Sequence, residues 1–442
     1  MLALGLNCHA LWLFGHLFGA VYVVLMSYPG MDYRISFPVS TRVAWGFCGS
    51  VLVVLNRIAT SAIFTGVQGW LGGLVTYVCI RAIWPSIDNI HNTLSASTGT
   101  NMPQFVGFIV WYTIQVALVA LSPQNLCYLV MIGAVVGFVV QLALVSWACS
   151  TMGSAGFGTV LSSSVSLSGS QLAWMVVYGM SLTTSSITTG TLSVCDYARF
   201  AKGPRRVAAA QFLGAFPAWL ANIFGVMTIA ATQDRYGAQL WSLPSLLIAM
   251  QDADPTPRTR VAVSFAGFGM ALLQLGLNIT GNSFCGGTDL AALFPRWINI
   301  RRGQVLTAAV GVAINPWYLM TSATVFLSAM SSYTVVLQPF LGIMVAEYFI
   351  VQKRRLRVTD LYTLVDNASN LYWYTMGLNW RAVVAWVVGA VPHFPGFAKT
   401  VNSNLNISLA ATRLYYLDSF TGFIIPTEPS FSATILQFEK HG

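Results

Sequence analysis

Residues 274–303 read QLGLNITGNSFCGGTDLAALFPRWINIRRG, a segment that is apolar at first and ends in a cluster of arginines. Its two amides, Asn278 and Asn282, are four residues apart, so on a helix they lie on one face, one turn apart. Amides inside an apolar span are costly to bury unless they have hydrogen-bond partners. The pair therefore predicts a polar surface that binds something, and the arginines indicate which side of a membrane this end occupies.

The composition indicates an integral membrane protein. Only 8% of the 442 residues are charged, 56% are hydrophobic, and residues 89–195 contain no Asp, Glu, Lys or Arg. A soluble domain of this length could not cover its surface with so few charges. A spanning helix needs about 20 apolar residues. That criterion predicts eleven spans, at about 8–30, 51–80, 104–122, 126–149, 171–195, 209–231, 263–287, 304–323, 332–351, 381–397 and 407–425.

The basic residues predict how these spans are oriented. Alternate loops contain clusters of Arg and Lys, and the positive-inside rule places such clusters in the cytoplasm. The clusters are Arg34 with Arg42, residues 199–206, residues 296–302 and residues 353–357. Orientation also explains the net charge of +9, so no nucleic-acid partner is needed. Eleven spans with a cytoplasmic C-terminus would place Met1 outside, and we therefore expect one further N-terminal helix.

The sequence indicates neither a metal site, a cofactor nor an enzyme active site. Its seven cysteines show no C-x-x-C or Cys/His spacing of the kind that binds metal or forms a disulfide framework. It contains no H-E-x-x-H or G-x-S-x-G motif. A membrane-embedded enzyme is therefore disfavoured.

The second predicted span contains Phe64-Thr-Gly-Val-Gln68, in which a ring and an amide four residues apart share a face. The alternative to a ligand site is ordinary packing, with Gln68 hydrogen-bonded to a neighbouring helix. The same alternative applies to Asn278 and Asn282. Asn282 is the better ligand candidate of the two, because it lies nearer the Gly-rich segment 281–287.

The fifth predicted span ends in the hydroxyl-rich segment 185–196, which contains Ile187 and one glycine, Gly190. Such a segment can break the helix, and broken helices form binding sites in transporters. Alternatively, the hydroxyls bond back to carbonyls of their own helix. The sequence does not decide between the two.

Four charged residues fall within or beside the predicted spans. Arg57 lies well inside the second span, where a charge is costly, so we expect it to face protein or water. Asp196, Asp289 and Glu347 lie close to span ends. For these three carboxylates, a topological role or pairing with a nearby cation is the expectation.

Several short motifs occur in a fixed order: Phe37-Pro-Val-Ser-Thr-Arg42, Gly66-Val-Gln68, Ile83-Trp-Pro-Ser86, Asp196-Tyr-Ala-Arg-Phe-Ala201, residues 289–303, Pro316-Trp317, Tyr372-Trp-Tyr374 and Asn379-Trp-Arg-Ala382. Each is modest alone, but in this order they are highly specific. Over essentially its whole length the chain resembles the nucleobase:cation symporters of the first class, in particular the fungal uracil and allantoin permease branch.

The resemblance implies an all-α integral membrane protein with an inverted five-helix-repeat transporter fold. About 11 transmembrane helices would be present of an expected 12, the first helix being absent. Residues 1–442 would form a single transmembrane domain. Residues 1–195 would contain the remainder of the first repeat and the start of the second, 171–351 the second repeat, and 381–425 two C-terminal helices.

The resemblance also implies a substrate site. In the family, a ring and a Gln on the third helix and an Asn on the eighth helix bind the base, and the matching positions here are Phe64, Gln68 and Asn282. A ring can stack on the flat face of uracil, and an amide can pair with its edge of alternating N–H and C=O groups. Asn278 and Ile187 complete the predicted set of substrate-binding residues.

Three positions depart from the family pattern. The ring is typically Trp where this chain has Phe64, and the Asn three residues before the sixth-helix Asp is replaced by Ser193. Sodium-coupled relatives have a Ser/Thr pair where this chain has Gly276 and Leu277. Hard cations need several oxygen ligands, so a proton is favoured over sodium as the coupling ion.

The sequence thus predicts a plasma-membrane secondary transporter that imports uracil or a related nucleobase by proton symport across the lipid bilayer. Transport of allantoin, uridine or thiamine is the nearest alternative. A truncated homologue that does not transport is a second one.

Overall fold

The computed structural model describes residues 7–427 except 120, 122, 155, 159–168, 321–322 and 364–369. These residues are almost entirely helical. The α-helices, in chain order, are α1 (Asn7–Tyr33), α2 (Phe37–Ile83), α3 (Met102–Val119), α4 (Pro123–Ser150), α5 (Gly169–Ala198), α6 (Pro204–Leu213), α7 (Ala215–Tyr236), α8 (Leu243–Ala253), α9 (Pro257–Asn278), α10 (Phe284–Leu293), α11 (Ile300–Ala313), α12 (Pro316–Leu319), α13 (Ala323–Ser332), α14 (Thr334–Ala346), α15 (Trp380–Ala390), α16 (Phe394–Val401), α17 (Leu409–Tyr415) and α18 (Asp418–Ile424).

Eight helical segments within the described residues are long and apolar enough to cross a membrane. They are Leu11–Tyr33, Phe37–Ile83, Met102–Val119, Asn125–Ser150, Pro204–Tyr236, Pro257–Leu293, Ser328–Val351 and Trp380–Val401. Each overlaps one of the eleven predicted spans, since a long apolar run has few alternatives to a buried helix.

The three remaining predicted spans are not among these eight segments. The segment 171–195 lies within α5, a helix of 30 residues that is rich in Ser and Thr. The segment 304–323 is divided between α11 and the four-residue α12 at Asn315, whose φ is +54°. The segment 407–425 contains the seven-residue helices α17 and α18. The number of eleven spans therefore stays a prediction.

A kink at Gly46 divides α2, the longest helix at 47 residues. The φ of Gly46 is +75°, a value that residues with a side chain rarely adopt. A Cβ at this position would lie 2.5 Å from the carbonyl oxygen of Gly377. The predicted span at 51–80 is the part of α2 that follows this kink, and it contains Arg57, Phe64 and Gln68.

Charged residues hold together loops that the positive-inside rule assigns to one side. Arg34 donates to the carbonyl of Arg199 at 3.0 Å, and Arg42 donates to the carbonyl of Leu361 at 2.7 Å. Arg354 pairs with Asp32 at 2.7 Å, and this hydrogen bond raises the pKa of the Arg354 guanidinium.

A separate group of charges lies at the other end of α2. Arg81 pairs there with Asp88 and Asp252, each at 2.6 Å. Arg260, near the start of α9, donates to the carbonyl of Ala82 at 2.8 Å. The two groups agree with the sorting of the loops that the sequence predicted.

The hydroxyl-rich segment of α5 remains helical. Ser186 donates to the carbonyl of Thr183, and Thr188 and Thr191 each donate to the carbonyl four residues back along the helix. These hydroxyls therefore bond back to carbonyls of their own helix, which was the second alternative for this segment, and the helix is not broken. The irregular turn lies instead in the segment with the two asparagines, where residues Ile279–Ser283 form a π-helical turn between α9 and α10. Such turns frequently occur at functional sites.

Candidate substrate site

A buried ion triad joins α2 and α5, which contain Phe64, Gln68 and Ile187, to α10, which follows the turn that contains Asn282. Arg57 on α2 is 1% exposed, and Asp196 on α5 and Asp289 on α10 are 0% exposed. The Arg57 Nη2 lies 2.8 Å from Oδ2 of Asp196, and its Nε donates to Oδ2 of Asp289 at 2.5 Å. Arg57 thus faces protein, and the expected pairing of Asp196 and Asp289 with a cation is confirmed. A single one of these three charges, without its partners, would be strongly destabilising in an apolar interior.

The triad is offset from the predicted substrate residues by two helical turns. Arg57 precedes Phe64 by seven residues, and Asp289 follows Asn282 by seven, so each pair shares a helix face. Glu347, the third carboxylate near a span end, is also buried and accepts a hydrogen bond from Gln352 at 2.9 Å.

Asn278 and Asn282 are hydrogen-bonded to each other. The Nδ2 of Asn282 donates to Oδ1 of Asn278 at 2.9 Å, which confirms that they share a face. Asn278 is 0% exposed, and its Nδ2 donates to the carbonyl of Thr65 at 3.0 Å and to Oε1 of Gln115 at 2.9 Å. The protein thus uses both amide hydrogens and the oxygen of Asn278, whereas Asn282 is half-buried.

Gln68 is also half-buried and is paired with Gln274 on α9. The Nε2 of Gln274 donates to the backbone carbonyl of Gln68 at 2.9 Å and to its side-chain Oε1. Gln274, Asn278 and Asn282 therefore form a series at intervals of four residues, along the helix face that packs against α2.

The other two predicted residues are Phe64 on α2 and Ile187 on α5. Phe64 is half-buried one turn before Gln68. Ile187 is half-buried and faces α1, since a Cβ at Gly19 would lie 2.7 Å from its Cδ1. The structure thus brings Gln68, Asn278 and Asn282 to one helix interface, and the roles of all five residues in binding stay predictions.

A cavity of about 810 Å³ adjoins the π-helical turn. Tyr197, Thr280 and Phe284 line it together with residues of α4, and the Tyr197 hydroxyl donates to the carbonyl of Thr280. Residues two apart on a helix do not face each other, so Thr280 and Phe284 lie on a different face from Asn282. This cavity does not include Gln68 or Asn282 in its lining.

Sequence reasoning missed two amides of this interface, Gln115 and Gln274. Gln115 is a fully buried amide in the uncharged and mostly apolar second half of α3, and this composition alone could have marked it. Gln274 lies four residues before Asn278, so extending the spacing of the asparagine pair by one turn would have found it.

These features define a multi-pass integral membrane transporter, built of apolar helices around buried polar groups. A family model described as "Permease for cytosine/purines, uracil, thiamine, allantoin" matches residues 1–422. The chain belongs to this family, and the resemblance inferred from the sequence is confirmed.

Curated relatives from Saccharomyces cerevisiae are named for different substrates. The chain is 31% identical to the allantoin permease, covering 96% of this chain and 68% of the permease. It is 31% identical to the uridine permease, with 96% and 67% covered, and 28% identical to the uracil permease, with 96% and 68% covered.

Among solved structures, Mhp1 shares the fold. A closed conformation of this nucleobase-cation-symport-1 family transporter, with bromovinylhydantoin bound, superposes with a TM-score of 0.73 at 19% identity. The match covers 98% of this chain and 86% of Mhp1. The predicted fold class, an all-α membrane protein with an inverted-repeat transporter fold, is thereby confirmed.

Proposed function

We propose that this chain is a plasma-membrane secondary transporter that imports uracil or a related nucleobase by proton symport. The observation that carries the proposal is the pair of half-buried amides, Gln68 and Asn282, on the facing helices α2 and α9–α10. Oε1 of Gln68 and Nδ2 of Asn282 are each held by a hydrogen bond to a neighbouring amide. The remaining groups, Nε2 of Gln68 and Oδ1 of Asn282, form no hydrogen bond within the described residues. Such amides suit a ligand edge that alternates N–H and C=O.

Phe64 provides the stacking surface in this proposal. It lies one turn from Gln68, so its ring and the amide can contact the face and the edge of the same planar ligand. Asn278 stands behind Asn282 in the interface, and Ile187 remains a predicted contact from α5.

Uptake of labelled uracil into cells that lack their own nucleobase permeases tests the proposal. We expect concentrative uptake, and no accumulation by cells that display the protein at their surface would refute it. Allantoin is the second candidate, because the relatives named for allantoin and uridine are each 31% identical to this chain, and the one named for uracil is 28% identical. Competition by allantoin, uridine and thiamine ranks these substrates.

Proton coupling rests on the residues that precede Asn278. Gly276 and Leu277 have no side-chain oxygen that could bind sodium. We expect uptake to collapse with a protonophore and to persist when choline replaces sodium. Uptake that requires sodium and resists the protonophore would exclude a proton as the coupling ion.

A further inference from the structure

The orientation of the Asn278 amide is fixed by a group that can only accept. A backbone carbonyl has no hydrogen to donate, so the atom of Asn278 that lies 3.0 Å from the Thr65 carbonyl must be Nδ2. Its second hydrogen goes to Oε1 of Gln115 at 2.9 Å. The oxygen of Asn278 is therefore left to face the next amide in the series.

The orientation of the Asn278 amide determines that of the Asn282 amide. Because Oδ1 of Asn278 is an acceptor, the atom of Asn282 that contacts it at 2.9 Å must be the donor Nδ2. The nitrogen and oxygen of an amide lie on opposite sides of their carbon, so Oδ1 of Asn282 is turned away from Asn278. Within the described residues this oxygen accepts no hydrogen bond.

The orientation of the Gln68 amide is also determined by a backbone carbonyl, but here the nitrogen of the amide is the group left available. The Nε2 of Gln274 donates to the Gln68 backbone carbonyl at 2.9 Å, which identifies it as the nitrogen. The same Nε2 donates to Oε1 of Gln68. The amide nitrogen of Gln68 is therefore turned away from Gln274, and it donates no hydrogen bond within the described residues.

We propose that Asn278 and Gln274 are positioning residues, which make Asn282 present a carbonyl oxygen and Gln68 present an N–H group to the substrate. The inference rests on the proposed function and deepens it by specifying the ligand edge. The substrate has a hydrogen-bond donor towards Asn282 and an acceptor towards Gln68, and the ring of uracil provides both kinds of group. A ligand with donor and acceptor exchanged would face like groups on both sides and would leave buried polar atoms unpaired.

Cytosine and isocytosine test this orientation. In each of them an amino group replaces one uracil carbonyl and a neighbouring ring nitrogen becomes an acceptor, so one edge has its donor and acceptor exchanged. In competition with labelled uracil, we expect at least one of the two to be roughly tenfold weaker than uracil for the wild-type chain. Equal competition by all three bases would overturn the inference.

The Asn278→Leu and Gln274→Leu substitutions release one amide each. We expect the ratio of the affinities for uracil and for the weaker analogue to fall at least fivefold in each variant, because the released amide can rotate to meet either pattern of donor and acceptor. This ratio does not depend on how much protein reaches the surface. A purely structural role for these residues would lower uptake of all ligands together and leave the ratio unchanged, which would overturn the inference.

Gln115→Met is the matched control, since it removes a hydrogen bond from the same buried network. The Thr65 carbonyl still fixes the Asn278 amide in this variant, so the ratio between analogues should be retained. Narrowing equal to that of Asn278→Leu would contradict the proposed orientation. Absence of uracil uptake by wild-type protein at the cell surface is a different result, which refutes the proposed function itself.

Discussion

Arg57 and Asp196 form an ion pair, with 2.8 Å between Nη2 and Oδ2, and each belongs to a long helix of mostly uncharged residues. Asp289 completes the group from a third helix. The triad places charge where water is excluded, so each member depends on the others for its solvation. It fixes α2, α5 and α10 relative to one another at two turns from Phe64 and Asn282.

Removal of the cation should destabilise the fold strongly. Arg57→Leu leaves two buried carboxylates without their partner, and loss of one member of a buried pair costs roughly 3–5 kcal/mol. Arg81→Leu is the matched control, because the pairs of Arg81 with Asp88 and Asp252 are partly exposed and should contribute about 1 kcal/mol or less. The fraction of detergent-solubilised protein that stays monodisperse after heating measures both, and equal losses would contradict a special role for the triad.

Truncation of the Gln68 amide should abolish uracil uptake. Gln68→Ala removes the N–H group proposed to meet the ligand, while the protein should still reach the cell surface. Gln104→Ala is a suitable control, because Gln104 is a half-buried amide at the start of α3. Uptake assays with surface labelling check the prediction, and normal uptake by the Gln68 variant would remove this residue from the site.

Replacement of the Phe64 ring should weaken binding and leave turnover largely intact. An aromatic contact contributes about 0.5–1.5 kcal/mol beyond its area, so Phe64→Leu should raise the KM for uracil roughly 2- to 13-fold. Phe64→Trp offers a larger ring and should keep or lower the KM. Phe268→Leu controls for general loss of an aromatic side chain, since Phe268 is 59% exposed on α9. An unchanged KM for Phe64→Leu would exclude stacking at this position.

A methyl group at Gly66 should separate α2 from α11. A Cβ there would lie 2.2 Å from the carbonyl oxygen of Gly311, a backbone atom that cannot move aside alone. We expect Gly66→Ala to lower the melting temperature in detergent. At Gly190 no atom of the described residues lies within 4 Å of an added Cβ. Gly190→Ala should therefore be neutral or stabilising, because alanine favours a helix by about 1 kcal/mol over glycine.

The sequence by itself determined the class of protein, the approximate positions of most spans and the sorting of the charged loops. These follow from composition and from the length of apolar runs, which are local properties of the chain. The shared face of Asn278 and Asn282 was equally accessible, because the helical period alone sets it. The motifs in their order determined the family.

The tertiary structure alone decided which groups are partners. The contacts of Arg57 with Asp196, of Asn278 with Gln115 and of Gln68 with Gln274 each join helices that are distant in sequence. Such contacts depend on how each helix is rotated about its axis and shifted along its neighbour. A helix that is apolar on all sides has no pattern that encodes this rotation. Only packing shows that Asn278 is saturated by the protein, while Gln68 and Asn282 each keep one polar group available.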